Sequence, residues 1–135
     1  MIKDMIPDYF DLLTRLLDDE YGEGNVSYSQ VKNDSPSQFP HVYFHQIGGI
    51  GKCATLSGTY DAMDITVEII VYHDKGTSKT RKFANSIRMY MTEWNYGLRF
   101  KCDTFSPMDN LSDSKISMFV MRFSKTDTEQ EYPQG

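Results

Sequence analysis

Apolar and polar residues change their spacing several times along the chain, and each change marks an element. Over residues 65–73, Ile65, Val67, Ile69 and Val71 alternate with Thr66, Glu68, Ile70 and Tyr72. A period of two places these sets on opposite faces of a strand. The first set makes a core face and the second is mixed. A short polar turn, 74–78, follows. The spacing then switches to helical, with Phe83, Ala84, Ile87, Met91 and Trp94 forming one apolar stripe over residues 79–95. Ser78 is the expected N-cap and Gly97 the expected stop. A strand that feeds such a helix predicts a sheet with the helix lying on it.

The rest of the chain supplies the sheet's other strands and a second helix. Met5, Ile6, Phe10, Leu13, Leu16 and Leu17 recur at three- and four-residue steps. Pro7 fits the first turn, so the helix is firm over 7–20, and Gly22 and Gly24 end it. Strands are expected over 26–32 and 41–47, separated by the turn cluster 33–37. Residues 48–63 carry Gly48, Gly49, Gly51 and Gly58 and read as a long loop or an extended hairpin. Two more strands, 98–105 and 116–123, flank a turn that contains Pro107 and Asn110. Residues 124–135 are polar and read as a flexible tail. The expectation is one α+β domain over 1–123. Its order is α-β-β-β-α-β-β, with two helices on one face of a largely antiparallel sheet.

The last strand raises the functional question. Ile116, Met118 and Val120 share one face, while Phe119, Met121 and Phe123 share the other. Two helices cover only one face of a sheet. The second apolar face needs another cover, from folded-back segments of the chain or from a neighbouring subunit.

Composition narrows the classes. The chain has 135 residues, enough to bury a core without metals or disulfides. Its formal net charge of −5 argues against sequence-independent binding to phosphate backbones. The two cysteines, Cys53 and Cys102, form no framework and read as reduced thiols of a cytosolic protein. The first residues lack the apolar core of a secretory signal, and no apolar run reaches membrane-spanning length. Charge is uneven. Asp4, Asp8, Asp11, Asp18, Asp19 and Glu20 mark the first helix, whereas Lys79, Arg81, Lys82 and Arg88 mark the second. Opposite patches of this kind suit head-to-tail contacts between copies.

Candidate chemistry is sparse. Gly48-Gly49-Ile50-Gly51-Lys52 fails the phosphate-loop pattern, because Gln46 stands where its first glycine belongs and Cys53 follows the lysine. Gly49 to Ala54 fits G-x-G-x-x-A but opens no helix. His41 and His45 share a strand face roughly 13 Å apart, too far for one ion with ~2 Å ligand bonds. Ser112 to Lys115 matches S-x-x-K without the partner motifs of serine–lysine enzymes. The acidic pairs Asp61/Asp64 and Asp109/Asp113 read as solvated turn carboxylates. No catalytic residue, metal ligand or cofactor is expected, and the chain reads as a non-enzyme.

The order of elements, taken with particular segments, resembles the tail terminator and tail-completion proteins of long-tailed bacteriophages. The carrying features are the strand 65–73, the helix 80–94, residues 98–108 and the closing strand 119–123. The likeness is strongest over about 60–123 and is one of pattern, since the family has no catalytic signature. It implies a ring, usually hexameric, that caps the head-proximal end of the tail tube, stops its polymerisation and joins it to the head connector. It implies a virion protein assembled in the host cytoplasm. Its partners would be further copies of itself, the tail-tube protein and the head–tail connector, with DNA only passing through the channel. A negative charge suits such a channel. Two contact regions are expected on this reading. One is the glycine-bearing loop with Gly49, Ile50 and Lys52. The other is an outward sheet face with Tyr72, Phe119, Met121 and Phe123. A head-completion or neck connector protein of similar fold is the alternative, and a small cytosolic enzyme or ligand-binding domain is the third reading.

Overall fold

The β-branched stretch around Val67 and Ile69 forms the central strand of a five-stranded sheet, and every other element is placed by it. The structure is a computed structural model and describes residues 5–54 and 60–128. The elements run α1 (Ile6–Tyr21), β1 (Ser27–Ser29), β2 (His41–Ala54), β3 (Tyr60–His73), α2 (Thr77–Thr92), a 3-10 turn (Trp94–Tyr96), β4 (Lys101–Met108) and β5 (Ser117–Thr128). The sheet order is β1-β2-β3-β5-β4. All pairings are antiparallel except β1 with β2. The α+β class and the order α-β-β-β-α-β-β are those expected.

Register explains which side chains meet. Across the sheet, Val42 faces Val71, which faces Phe119. Phe44, Ile69, Met121 and Phe105 make the next row, and Val67, Phe123 and Cys102 the one after. Both helices lie on this face. Leu13 and Leu17 of α1 and Phe83, Ala84, Ile87 and Met91 of α2 close over it and leave it dry. Each fully buried Leu, Ile or Phe side chain contributes about 1.5–3 kcal/mol. Tyr9 meets Phe100 edge-on at 5.1 Å, and Tyr21 meets Phe83 at 4.8 Å. The charged Lys125 lies opposite Ile65 at the end of this face. Its Nζ donates to the Leu98 carbonyl at 2.9 Å and sits 4.8 Å from the Tyr9 ring.

Helix ends follow local chemistry, with two departures from expectation. Pro7 occupies the first turn of α1 and Gly22, at φ 96°, ends it. The second helix starts two residues earlier than expected, at Thr77 instead of Lys79. Gly76, at φ 99°, is its N-cap, and the Thr80 hydroxyl returns to the Gly76 carbonyl at 2.8 Å. It also ends early. Glu93 turns extended, so Trp94 falls in the 3-10 turn and is 77% exposed rather than part of the buried stripe. Gly97 and Arg99 both take positive φ. That turn lets Leu98 and Phe100 enter the core on either side of exposed Arg99.

The stretch read as loop or hairpin is a hairpin. β2 and β3 pair out to Ala54 and Tyr60, with one register shift that makes Ile47 a bulge residue. Residues 55–59, including Gly58, lie outside the described residues. β5 continues to Thr128 beside Ala62, so 124–128 belong to the sheet and not to a tail. The first five residues of β3, before Ile65, pair with β2 throughout and with β5 from Ala62 onward, roughly 15 Å of strand at ~3.3 Å per residue.

Candidate functional site

The sheet face away from the helices is divided into two zones. Its upper rows are apolar: Tyr72 beside Met118, and Tyr43, Ile70 and Val120 across three strands. These rows are covered by the chain itself. Phe39, from the 30–40 segment, and Ile116, from the 109–116 segment, pack with Tyr43, Ile70, Tyr72 and Met118 into a second small core. Polar groups tie the two segments down. The Tyr72 hydroxyl donates to Asp34 Oδ1 at 2.9 Å, and Asn110 Nδ2 donates to the Asp34 carbonyl at 2.7 Å. Asn110 Oδ1 accepts from the backbone of Ser112 and Asp113 at 3.0 Å each, and Asp113 Oδ1 accepts from Lys115 N at 3.0 Å. The S-x-x-K match is thus a turn wound around two side-chain acceptors, and it supports the lid.

The lower rows of the same face are polar. Arg122 Nε donates to Glu68 at 3.0 Å, and His45 pairs across from Glu68 and stacks on Tyr43. Thr126 donates to Asp64 at 2.6 Å. The Arg122–Glu68 pair is partly exposed, so its contribution to stability is about 0–1 kcal/mol.

Titratable groups have structural partners. His41 is buried and burial lowers its pKa. Its Nδ1 lies 2.6 Å from the Ser27 hydroxyl and its Nε2 2.9 Å from that of Ser29, which pins β1 to β2. Burial pushes the Cys102 thiol up, away from a reactive thiolate, and its Sγ approaches the Thr104 carbonyl at 3.5 Å. Burial, then hydrogen bonding to a carboxylate, raises Tyr28, Tyr72 and Tyr90. Tyr28 donates to Asp18 at 2.9 Å and Tyr90 to Glu20 at 2.6 Å. Two acids of α1 thereby fasten that helix to β1 and to α2. Among the described residues, no group of three metal-ligating side chains comes together. A cleft of about 310 Å³ opens between the first turn of α2 and the β4–β5 end, where Arg81 is the one charged lining group.

The expected contact residues separate into three places. Phe119, Met121 and Phe123 do not face outward. They are at most 1% exposed and lie under the helices, on the face opposite Tyr72. The reason is register: Phe119 pairs with Val71 and Met121 with Ile69, so they share the core face of β3. Tyr72 is on the second face, but fully buried beneath the chain's own lid. Gly49, Ile50 and Lys52 lie in the β2 ribbon, opposite Ile65, Asp64 and Ala62, and their side chains fall outside the described residues. Asp34 and Asn110, which hold the lid, carried no sequence signal beyond turn propensity.

No family model and no curated protein matches the chain.

Proposed function

We propose that this chain is a structural subunit that works by contact, as a tail terminator of a long-tailed phage. Copies would form a ring at the head-proximal end of the tail tube, stop its growth and present a surface to the head connector. The observation that carries the reading is the β2–β3–β5 ribbon. β2 and β3 stay paired for roughly 15 Å beyond Ile65, with β5 alongside as far as Ala62. The helices cover the core face and the lid covers the apolar rows of the other face, so the described apolar surface of the sheet is buried within the chain itself. A paired ribbon of that length would serve as an arm for reaching a neighbouring subunit or the tube rim. The resemblance of 60–123 to tail terminators supports the same role, and the formal charge of −5 suits a ring that DNA must leave. The chemistry is mechanical and needs no cofactor.

The test is a binding comparison. The chain is offered separately to assembled phage tail tubes and to a head–tail connector. Retention on assembled tubes, at few copies per tube, is the expected result. Retention on the connector alone would replace the terminator with the neck-protein reading. Binding to neither would overturn both.

A further inference from the structure

The two helices on the core face carry opposite charge and sit above opposite margins of the sheet. α1 holds five carboxylates against the single guanidinium of Arg15. α2 holds Lys79, Arg81, Lys82 and Arg88 and no acid. Position matters as much as sign. One side of α1 reaches the β1–β2 margin, where Phe10 meets Phe44 at 5.3 Å and Tyr28 reaches Asp18, while Tyr9 and Glu20 turn toward Phe100 and α2. α2 rides over the β5–β4 margin, where the Arg88 guanidinium lies 4.2 Å from the Phe105 ring and that of Arg81 lies 5.3 Å from Phe119. Asp11 and Asp19 on one side, and Arg81 and Arg88 on the other, are exposed.

From this arrangement we infer that copies of the chain associate side by side and head to tail, the acidic α1 margin of one copy against the basic α2 margin of the next. Opposite charges at the two ends of one strand order make a heterologous contact, the kind that closes into rings. A two-fold contact between like margins would instead oppose charges of the same sign. The contact is made by helix side chains and not by extending the sheet. The β4 edge is guarded against strand addition: Pro107 has no N–H to give, the register shifts between Cys102 and Thr104, and Lys101 pairs with Asp103 at 3.8 Å. DNA is the poorer occupant for the basic margin, since α1 and the net charge of the chain repel it. The inference rests on the proposed ring for closure, but the contact itself requires only self-association.

The test uses charge reversal and mixing. The Lys79→Glu/Arg81→Glu/Lys82→Glu variant leaves Arg88 against three new carboxylates and makes both margins acidic, and the Asp8→Lys/Asp11→Lys/Asp19→Lys variant leaves Asp18 and Glu20 against Arg15 and three new lysines and makes both basic. Each alone should lose self-association at least about tenfold in sedimentation velocity at low salt, and a mixture of the two should regain it in alternating order. The mixture also shows that both variants are folded, and Lys79→Glu/Lys82→Glu/Arg88→Glu replaces the first variant if loss of the Arg81 contact with the Phe119 ring unfolds it. Association of the native chain should weaken as salt rises and the Debye length falls from roughly 10 Å toward 3 Å. Reversed variants that still assemble, or a mixture that does not recover, would overturn the helix contact and leave the ring reading standing. A native chain that stays monomeric alone and on tube ends would overturn both.

Discussion

Tyr72→Phe tests whether the second sheet face is closed by the lid. The substitution keeps the buried ring and removes one hydroxyl, whose bond to Asp34 Oδ1 measures 2.9 Å. A hydrogen bond to a charged group contributes about 1.5–3 kcal/mol. Asp34 is half-buried and regains water once the bond is gone, which brings the contribution to the bottom of that range or just below it, about 1–2 kcal/mol. An unfolding entropy of about 2.1 cal/mol/K per residue converts this into a fall in Tm of about 4–7 °C for this chain. Thermal unfolding by circular dichroism reads the shift. A double-mutant cycle with Asp34→Ala isolates the pair and should give about 1–2 kcal/mol of coupling. Hydrogen exchange should quicken at amides 70–72 and 118–120 before it quickens in the helix-covered core. An unchanged Tm with zero coupling would refute the reasoning, because the lid would then not be fastened through Tyr72.

Phe119→Ala should cost about 3–5 kcal/mol, since the ring is buried against Phe105 at 4.4 Å. Phe119→Asp should leave the chain unfolded at 25 °C, and a folded, assembly-deficient protein in size exclusion would contradict its place under the helices. Trp94→Ala should change stability by less than about 0.5 kcal/mol, because the indole is exposed, and the native chain should show solvent-exposed tryptophan emission. Alkaline stability follows from the tyrosines. Tyr28, Tyr72 and Tyr90 have folded pKa values raised above the unfolded value near 10, so the folded state binds more protons there. Their contribution is present below about pH 10 and is lost progressively as the pH climbs above it. Urea midpoints measured from pH 8 to 11.5 should stay level at first and then fall beyond pH 10.

The sequence carried the helix-facing side of the sheet well. Ile65, Val67, Ile69 and Val71 are β-branched or aliphatic at a strict period of two, and their partners Phe83, Ala84, Ile87 and Met91 repeat at helical spacing. Both signals are local, so both were legible. β5 was harder. Alternation separated Phe119, Met121 and Phe123 from Met118 and Val120, yet both sets are apolar. Only pairing with β3 decides which set meets the helices, and pairing is not local. The lid was invisible for a related reason. Its segments are rich in Asn, Asp, Ser and Pro, which mark turns but say nothing of where a turn folds. Phe39 and Ile116 were the apolar exceptions that anchor it. Trp94 was placed in the stripe because its spacing fits, and one extended residue, Glu93, removes it. For the candidate site, the glycine-bearing stretch was legible only as a long loop or an extended hairpin, and the opposite charges of the helices were legible in composition. Their placement over opposite sheet margins required the strand order.

The proposed ring at one end of the tail tube is checked by electron microscopy of tubes polymerised with and without the chain. A terminator should appear as an annulus of several copies at one end of each tube, and tubes should stop growing once capped. Tubes bare at both ends, or decorated evenly along their length, would contradict it.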